Sequence, residues 1–309
     1  MQSILPEWLY NKITSTFLQE YLYEIRIRVG RPIIVNYKGN YQALQDRNEY
    51  GINFVCGSAD LINYILSVAT KKSLYAFNNQ IRNAFITTDS GIRIGLCGTV
   101  VYNEGTVSTI KDITSVNIRI PHNVPNCASK IMNLICCNGS VKNTLVISPP
   151  GAGKTTLLRD IVNKLSDEKR INNILVVDER CEIALGNNVA NLGMNVDVVS
   201  CAEKGFAFNE CLKSMSPSVI VTDEVAKESD LISIKQAVKS GVNVIASVHA
   251  RSIDDLKQKN YFKEIIENRY FERYIVLSKR NGVGTIEAVF DENLRGIYLP
   301  LMLWRFLFV

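Results

Sequence analysis

Ser148-Pro-Pro-Gly-Ala-Gly-Lys-Thr155 lies between the short apolar run Thr144-Leu-Val-Ile147 and the segment Thr156-Leu-Leu-Arg-Asp-Ile-Val162. The first flank is β-branched and strand-like, and the second repeats apolar residues at helical spacing. A glycine-rich turn ending in Lys-Thr between a strand and a helix is the setting of a phosphate-binding P-loop. Such a loop holds phosphates on backbone N–H groups at a helix N-terminus, so it needs positive φ and room where side chains would stand. Gly151 and Gly153 meet that need.

The residues expected to wrap a nucleoside triphosphate are Pro150, Gly151, Ala152, Gly153, Lys154, Thr155 and Thr156. Lys154 is suited to neutralise the β- and γ-phosphates, the Thr155 hydroxyl to ligate Mg²⁺, and Thr156 to reach the α-phosphate. One residue departs from the usual pattern: Ser148 stands where the motif commonly opens with glycine.

Outward from the loop, short apolar strands alternate with helices, as in a doubly wound parallel sheet. Strands are expected at residues 144–147, 174–178, 219–223 and 242–247, with helices at 154–165, 203–214 and 227–240. A hairpin is expected from residues 274–277 and 285–290 around Asn281-Gly282. Before Pro121 the pattern is mixed: a helix over 5–21, strands over 22–28, 32–37, 84–88, 92–102 and 116–120, and a helix over 59–69 capped by Ser58. The Pro121 to Pro125 break divides the chain into an expected α+β N-terminal domain, 1–122, and a P-loop domain, 123–309.

Length and composition agree with two domains. The chain has 309 residues, of which 47% are hydrophobic, enough for sizeable cores. No run approaches the roughly 20 apolar residues of a membrane span, and Met1–Tyr10 carries Pro6 and Glu7 instead of a basic start and an apolar core. A cytoplasmic protein is expected. The apolar stretch 299–309 is too short to span a bilayer and reads as core or as a docking tail. The net charge of +5 permits contact with acidic surfaces without demanding nucleic acid. Eight cysteines show no metal-ligand or disulfide spacing and read as reduced, mostly buried thiols.

Ligands of open α/β sheets lie beyond the carboxyl ends of the strands, and two predicted strands end there in carboxylates. Val219-Ile-Val-Thr-Asp223-Glu224 is a Walker B pattern: Asp223 is placed to hold the Mg²⁺ shell and Glu224 to orient and deprotonate the attacking water. Val176-Val-Asp178-Glu179-Arg180-Cys-Glu182 is a second acidic strand end. Its spacing fits both a water-positioning carboxylate and an exposed turn in which Arg180 pairs with a neighbouring acid. His249 closes Val242-Asn-Val-Ile-Ala-Ser-Val-His249 and reads equally as a packed residue and as a sensor of the γ-phosphate. His122 has no such setting.

In this order, the P-loop, the acidic box at 178–182, Asp223-Glu224 and His249 resemble the secretion ATPase family of type II and type IV secretion and type IV pili. Further stretches extend the resemblance over nearly the whole chain, to a branch that acts in endospore formation. These are Tyr23-Glu-Ile-Arg-Ile-Arg-Val-Gly-Arg31-Pro, Ser73-Leu-Tyr-Ala, Gly91-Ile-Arg-Ile-Gly-Leu-Cys-Gly98, Ile113-Thr-Ser-Val-Asn-Ile-Arg-Ile120, Phe271-Glu-Arg-Tyr and Gly284-Thr-Ile-Glu.

The resemblance implies an α/β fold, a P-loop NTPase with a RecA-like, mostly parallel sheet preceded by a smaller α+β domain. It implies ATP and Mg²⁺ as cofactors and a ring of like subunits, a homohexamer. It further implies integral membrane partners of a secretion-like channel, reached from the mother-cell cytoplasm. Basic side chains of the N-terminal domain then become candidates for the phosphates: Arg93 and Arg119, with Arg82 behind them, whereas Arg26, Arg28 and Arg31 read as a structural or interface set. Arg180 replaces a proline of the family's acidic box, which leaves open whether Glu179 or Glu182 acts. Two other functions compete: a regulatory ATPase that binds nucleic acid, and a scaffold that binds ATP with little turnover. The first lacks a basic-aromatic stacking platform.

Overall fold

In the N-terminal part, apolar residues alternate along the strands, so one sheet face is buried while the other remains polar. The computed structural model describes residues 1–48, 51–122, 124–171, 173–184, 192–200 and 202–298. By its internal contacts the chain divides into two units, one ending at His122 and the other running from Asn123.

The first unit contains helix α1 (Glu7–Thr16), strands β1 (Leu22–Arg28), β2 (Ile34–Tyr37) and β3 (Asn40–Ala43), and the small hairpin β4 (Gln45–Asn48) and β5 (Gly51–Phe54). Helices α2 (Ala59–Ala69) and α3 (Asn78–Arg82) follow, then strands β6 (Phe85–Thr87), β7 (Arg93–Asn103) and β8 (Thr106–Arg119). The sheet order is β3-β2-β1-β8-β7-β6, with every pair antiparallel. Leu9 and Ile13 of α1 and Leu61, Ile62, Ile65 and Leu66 of α2 share one core with Ile25, Ile27, Ile94 and Ile118 of the strands. Ser58 caps α2 by accepting from the Leu61 N–H at 3.1 Å, as its sequence position implies.

Several N-terminal expectations need correction. The first helix spans only Glu7–Thr16, because Pro6 starts it and Phe17 leaves it in extended conformation. The strand expected at 116–120 is the end of the 14-residue β8. Its partner β7 turns back through Glu104 and Gly105, both at positive φ (49° and 77°), the geometry of a tight hairpin. The strand expected at 92–102 is β7, and its outer half is exposed. At Gly98 the hairpin bulges: a β-carbon there would stand 2.5 Å from the Lys111 carbonyl oxygen, which admits only glycine.

Glu24 of β1 is 8% exposed and binds Arg26 Nε at 2.7 Å and the Tyr41 hydroxyl at 2.9 Å. Burial disfavours its charge, but hydrogen bonds from Arg26, Tyr41 and Asn117 prevail and hold its pKa below the ordinary 4.5. Glu24 is therefore ionised in the folded protein at pH values where the unfolded chain already takes up a proton. Its stabilisation is complete above the unfolded-state pKa and is lost as pH falls through the folded-state one. Glu24→Gln should cost about 1–2 kcal/mol near neutral pH in urea unfolding, and the gap to the wild type should close in acid. A gap that persists unchanged in acid would refute this.

The second unit is built on strands whose residues are buried on both faces. After α4 (Met132–Ile135) and the short pair β9 (Cys136–Cys137) and β10 (Ser140–Val141) come β11 (Thr144–Ser148), α5 (Lys154–Ser166), β12 (Ile174–Asp178) and β13 (Val196–Ser200). Next are α6 (Lys204–Phe206), a π-helical segment (Ala207–Cys211), α7 (Leu212–Met215), β14 (Val219–Thr222), α8 (Glu228–Lys239) and β15 (Asn243–His249). Helices α9 (Ile253–Lys257) and α10 (Asn260–Glu267) and strands β16 (Arg273–Ser278), β17 (Thr285–Phe290) and β18 (Gly296–Tyr298) complete it. The sheet order is β13-β12-β14-β15-β11-β16-β17-β18. Pairs from β13 to β16 are parallel, and the last two are antiparallel.

Alternate residues of each parallel strand enter opposite cores. Val146, Val176 and Val221 pack with Leu157, Leu158 and Ile161 of α5, whereas Leu145, Ile147 and Val177 pack with Leu231 and Ile234 of α8 and Phe262 of α10. Each such side chain contributes roughly 1.5–3 kcal/mol of burial. The edge strand β13 was not foreseen: its central residues are only half-buried. The helix expected at 203–214 is interrupted by the π segment.

Among the described residues no helix is long and apolar enough to cross a membrane. The apolar stretch 299–309 lies outside the described residues. The seven described cysteines form no disulfide with one another, and of them only Cys181 is buried, while Cys56, Cys97 and Cys137 are exposed. This overturns the expectation of mostly buried thiols, because Cys97 sits on the exposed half of β7 and Cys137 at the turn end of β9.

Candidate functional site

Register brings the motifs together. β11 runs between β15 and β16, and Ser148 pairs with His249 across β11 and β15. Thr222 of β14 pairs with Ala246 of β15 and with Val177 of β12. Asp178, Asp223 and His249 therefore emerge at the same edge as the loop that follows β11, the edge where such sheets bind ligands.

The loop has the backbone that its sequence implies. Gly151 and Gly153 hold φ of 69° and 90°, and Gly153 precedes the first turn of α5. Ala152 is buried, Pro150 is exposed, and Thr156 lies in that first turn, where its carbonyl accepts from Cys127 Sγ. Ser148 needs no glycine freedom, since it is absent from the positive-φ positions. It is a fully buried strand end whose hydroxyl donates to the Pro149 carbonyl at 2.9 Å. Its own carbonyl stands 3.3 Å from His249 Nδ1.

Lys154 is 8% exposed. Its ammonium lies 2.8 Å from His249 Nε2, 3.8 Å from Glu224 Oε2 and 4.0 Å from Asp223 Oδ1. An ammonium only donates, so in the short contact His249 Nε2 is the acceptor, and its Nδ1 faces the Ser148 carbonyl. The Thr155 hydroxyl donates to Asp223 Oδ2 at 3.3 Å. Asp223 Oδ1 accepts from the Ser247 hydroxyl at 2.9 Å and the Glu224 N–H at 2.8 Å, which fixes the carboxylate in place. Glu224 Oε2 is further held by Arg180 Nη1 at 2.8 Å and lies 3.5 Å from His249 Nε2.

These donors suit a Mg²⁺–triphosphate. A hydroxyl and a carboxylate, the hard oxygen ligands that Mg²⁺ prefers, already face each other at Thr155 and Asp223. Beside them is a nearly buried ammonium at a helix N-terminus, and the loop lacks β-carbons at two positions.

The acidic box divides into two roles. Asp178 is fully buried and accepts the N–H groups of Glu182, Ile183 and Ala184 at 2.8, 2.9 and 2.8 Å. Burial raises its pKa, against the pull of those three bonds. Arg159 of α5, itself buried, donates to the carbonyls of Ile183 and Glu182 at 2.8 and 2.6 Å. Asp178 and Arg159 thus fold the turn after β12. Glu179 pairs with the buried Lys204 at 2.6 Å, and Glu179, Arg180 and Lys204 line a cavity of about 490 Å³ together with Asp223 and Glu224. Glu182 contributes its backbone to the turn.

Arg93 and Arg119 belong to the N-terminal unit, where they pair across β7 and β8. The Arg93 guanidinium stacks 4.1 Å from the Phe85 ring centroid. Arg82 donates to the Ser108 carbonyl. His122 is structural: its Nε2 contacts the Leu22 carbonyl at 3.0 Å and its ring meets Tyr23 edge-on.

Sequence reasoning passed over Ser247, Lys204 and Arg159. Ser247 sits in an apolar strand and Lys204 at a helix start, positions that resemble core and surface. Only Arg159, a charge on the apolar face of α5, carried a signal.

The family profile described as "Sporulation stage III, protein AA" matches residues 4–299. Stage III sporulation protein AA of Bacillus subtilis (strain 168) is 34% identical over 300 residues, 94% of this chain and 94% of that protein. Among solved structures, the ATPase DotB of Yersinia pseudotuberculosis aligns with a TM-score of 0.62 at 15% identity, covering 94% of this chain and 81% of DotB. The pilus retraction motor PilT, solved with bound ADP, aligns with a TM-score of 0.58 at 15% identity, covering 86% and 76%. The fold is therefore that of the P-loop secretion ATPases, with a mostly parallel sheet and a smaller antiparallel N-terminal sheet. By profile and by relative, the chain belongs to the family of sporulation stage III protein AA.

Proposed function

We propose that this protein is an Mg²⁺-dependent ATPase, the motor of a secretion-like membrane complex in endospore formation. The observation that carries the reading is the meeting of Lys154, Glu224, Asp223 and His249 at the P-loop, within 4.0 Å of the Lys154 ammonium.

In this reading the loop amides and Lys154 bind the β- and γ-phosphates, and Thr155 and Asp223 hold Mg²⁺, which offsets phosphate charge when bound. Glu224 accepts a proton from the water that attacks the γ-phosphorus, and ADP departs with its terminal oxygen. His249 faces the same space and signals whether the γ-phosphate is present. Glu179, which lines the same cavity as Glu224, and Glu182 are further water-ordering candidates. The N-terminal domain, 1–122, supplies Arg93 and Arg119 to phosphates in a homohexameric ring of P-loop domains, 123–309. The ring works from the mother-cell cytoplasm on integral membrane subunits and does not engage nucleic acid. The fold relatives, an ATPase and a pilus retraction motor, agree with this.

One observation favours a second reading, an ATP-binding scaffold with little turnover: Glu224 Oε2 is already engaged by Arg180 at 2.8 Å. Light scattering of the full chain with and without Mg·ATP, beside a phosphate-release assay, tests both. The motor reading expects growth toward a hexamer's mass and measurable turnover. Binding without turnover supports the scaffold, and absence of binding overturns both.

A further inference from the structure

The P-loop is covered on one side by the turn between β16 and β17. The Gly284 N–H donates to the Ala152 carbonyl at 3.0 Å. A β-carbon on Gly153 would stand 3.1 Å from Val283 Cγ1 and 3.3 Å from the Gly284 nitrogen. At the other end of the turn, a β-carbon on Gly151 would stand 3.1 Å from Lys279 Nζ and 3.6 Å from Lys279 Cε. Gly151 thus permits more than its positive φ: it makes room for an ammonium resting on the phosphate loop.

The turn is held by its own bonds. The Gly282 N–H donates to the Lys279 carbonyl at 3.2 Å. The Thr285 hydroxyl donates to the Gly282 carbonyl at 2.7 Å, and the Arg280 N–H donates to Ser278 Oγ at 3.0 Å. The neighbouring cation, Arg280, is turned to Glu287 at 3.8 Å. Lys279 has no carboxylate within 4.0 Å among the described residues, in contrast to Lys154 with its two. An ammonium without a counter-ion, set against a nest of N–H groups, concentrates positive potential where a polyphosphate is bound.

We propose that Lys279 is a second phosphate-binding cation of this site, contributed by the same chain and meeting the bound nucleotide's phosphates from the side of Gly151. The assignment rests on the P-loop binding a nucleotide. It adds a contact from outside the P-loop and Walker B segments, and it makes the 279–284 turn part of the binding wall.

The test is calorimetric titration of the full chain with Mg·ATP at low and high salt, for the wild type, Lys279→Ala, Lys279→Met, Lys279→Arg and Lys154→Ala. Lys279→Ala and Lys279→Met should each weaken binding about tenfold, the size of one charge-assisted hydrogen bond. Lys279→Arg should stay within about threefold of the wild type, and the difference should narrow at high salt because the contact is exposed. Lys279→Met keeps the aliphatic stem that packs on the loop, so a loss confined to Lys279→Ala means packing and overturns the proposal. Both neutral variants binding as the wild type does, while Lys154→Ala fails, overturns the Lys279 assignment alone. A wild type that does not bind Mg·ATP overturns the nucleotide reading and this inference with it.

Discussion

Glu224→Gln is expected to leave Mg·ATP binding within a few-fold of the wild type while turnover falls by about a hundredfold or more. The side chain stands 2.8 Å from Arg180, 3.5 Å from His249 and 3.8 Å from Lys154, so it is fixed from three sides at the mouth of the loop. Glutamine keeps its shape and one acceptor oxygen, and the ion-pair frame is loosened but not vacated. What disappears is the capacity to take a proton from water. Binding is unaffected in kind, because the phosphates are held by the loop amides, Lys154 and Thr155. Removing one negative charge near the Lys154 ammonium even favours a phosphate over the resident carboxylate. Single-turnover phosphate release beside filter binding of labelled ATP reads both quantities. Equal hydrolysis rates in the two proteins would remove Glu224 from the role of base.

Lys154→Ala is expected to weaken Mg·ATP binding by at least about a hundredfold, through loss of a nearly buried charge that the phosphates would otherwise meet. The resident geometry explains the severity: with Lys154 gone, Asp223 and Glu224 face the incoming phosphates without the ammonium that stood beside them, and Arg180 is already bound to Glu224. The variant thus loses an attraction and uncovers a repulsion. Thermal melting gives a direct readout. A ligand at about a hundred times its Kd stabilises a protein by about 2.7 kcal/mol, so the wild type's melting point should rise with Mg·ATP and that of Lys154→Ala should not. An equal rise in both would show that the nucleotide is held elsewhere.

The parts of the site legible in the sequence share one property: local order and chemistry coincide. The loop 148–155, the carboxylate pair at 223 and 224 and the histidine at 249 each follow an apolar run, and buried parallel strands write such runs without interruption. The antiparallel strands β3 and β5 and the first part of β8 were illegible for the opposite reason: with exposed and half-buried side chains on them, no alternation marks the pairing. The π segment in residues 207–211 leaves no periodic trace, since one added residue per turn shifts a short helix too little to read.

Within the acidic box the sequence offered Asp178, Glu179 and Glu182 as near equals. Burial separated them. Asp178, with zero exposure and three backbone donors, holds a turn, while Glu179 remains at the cavity beside Glu224. Charge in a sequence does not say which carboxylate faces solvent and which faces amides.

By itself the sequence determined the fold class, the phosphate loop and the order of the acidic strand ends, because hydrophobic period and glycine placement are local constraints on the backbone. Only the tertiary structure decided that Ser148 serves where glycine is usual, that Arg180 binds Glu224, that Ser247 orients Asp223 and that Lys279 lies on Gly151. Those contacts join residues 24 to 128 positions apart, and the register of a parallel sheet, set by packing across both cores, is what brings them within a few ångströms.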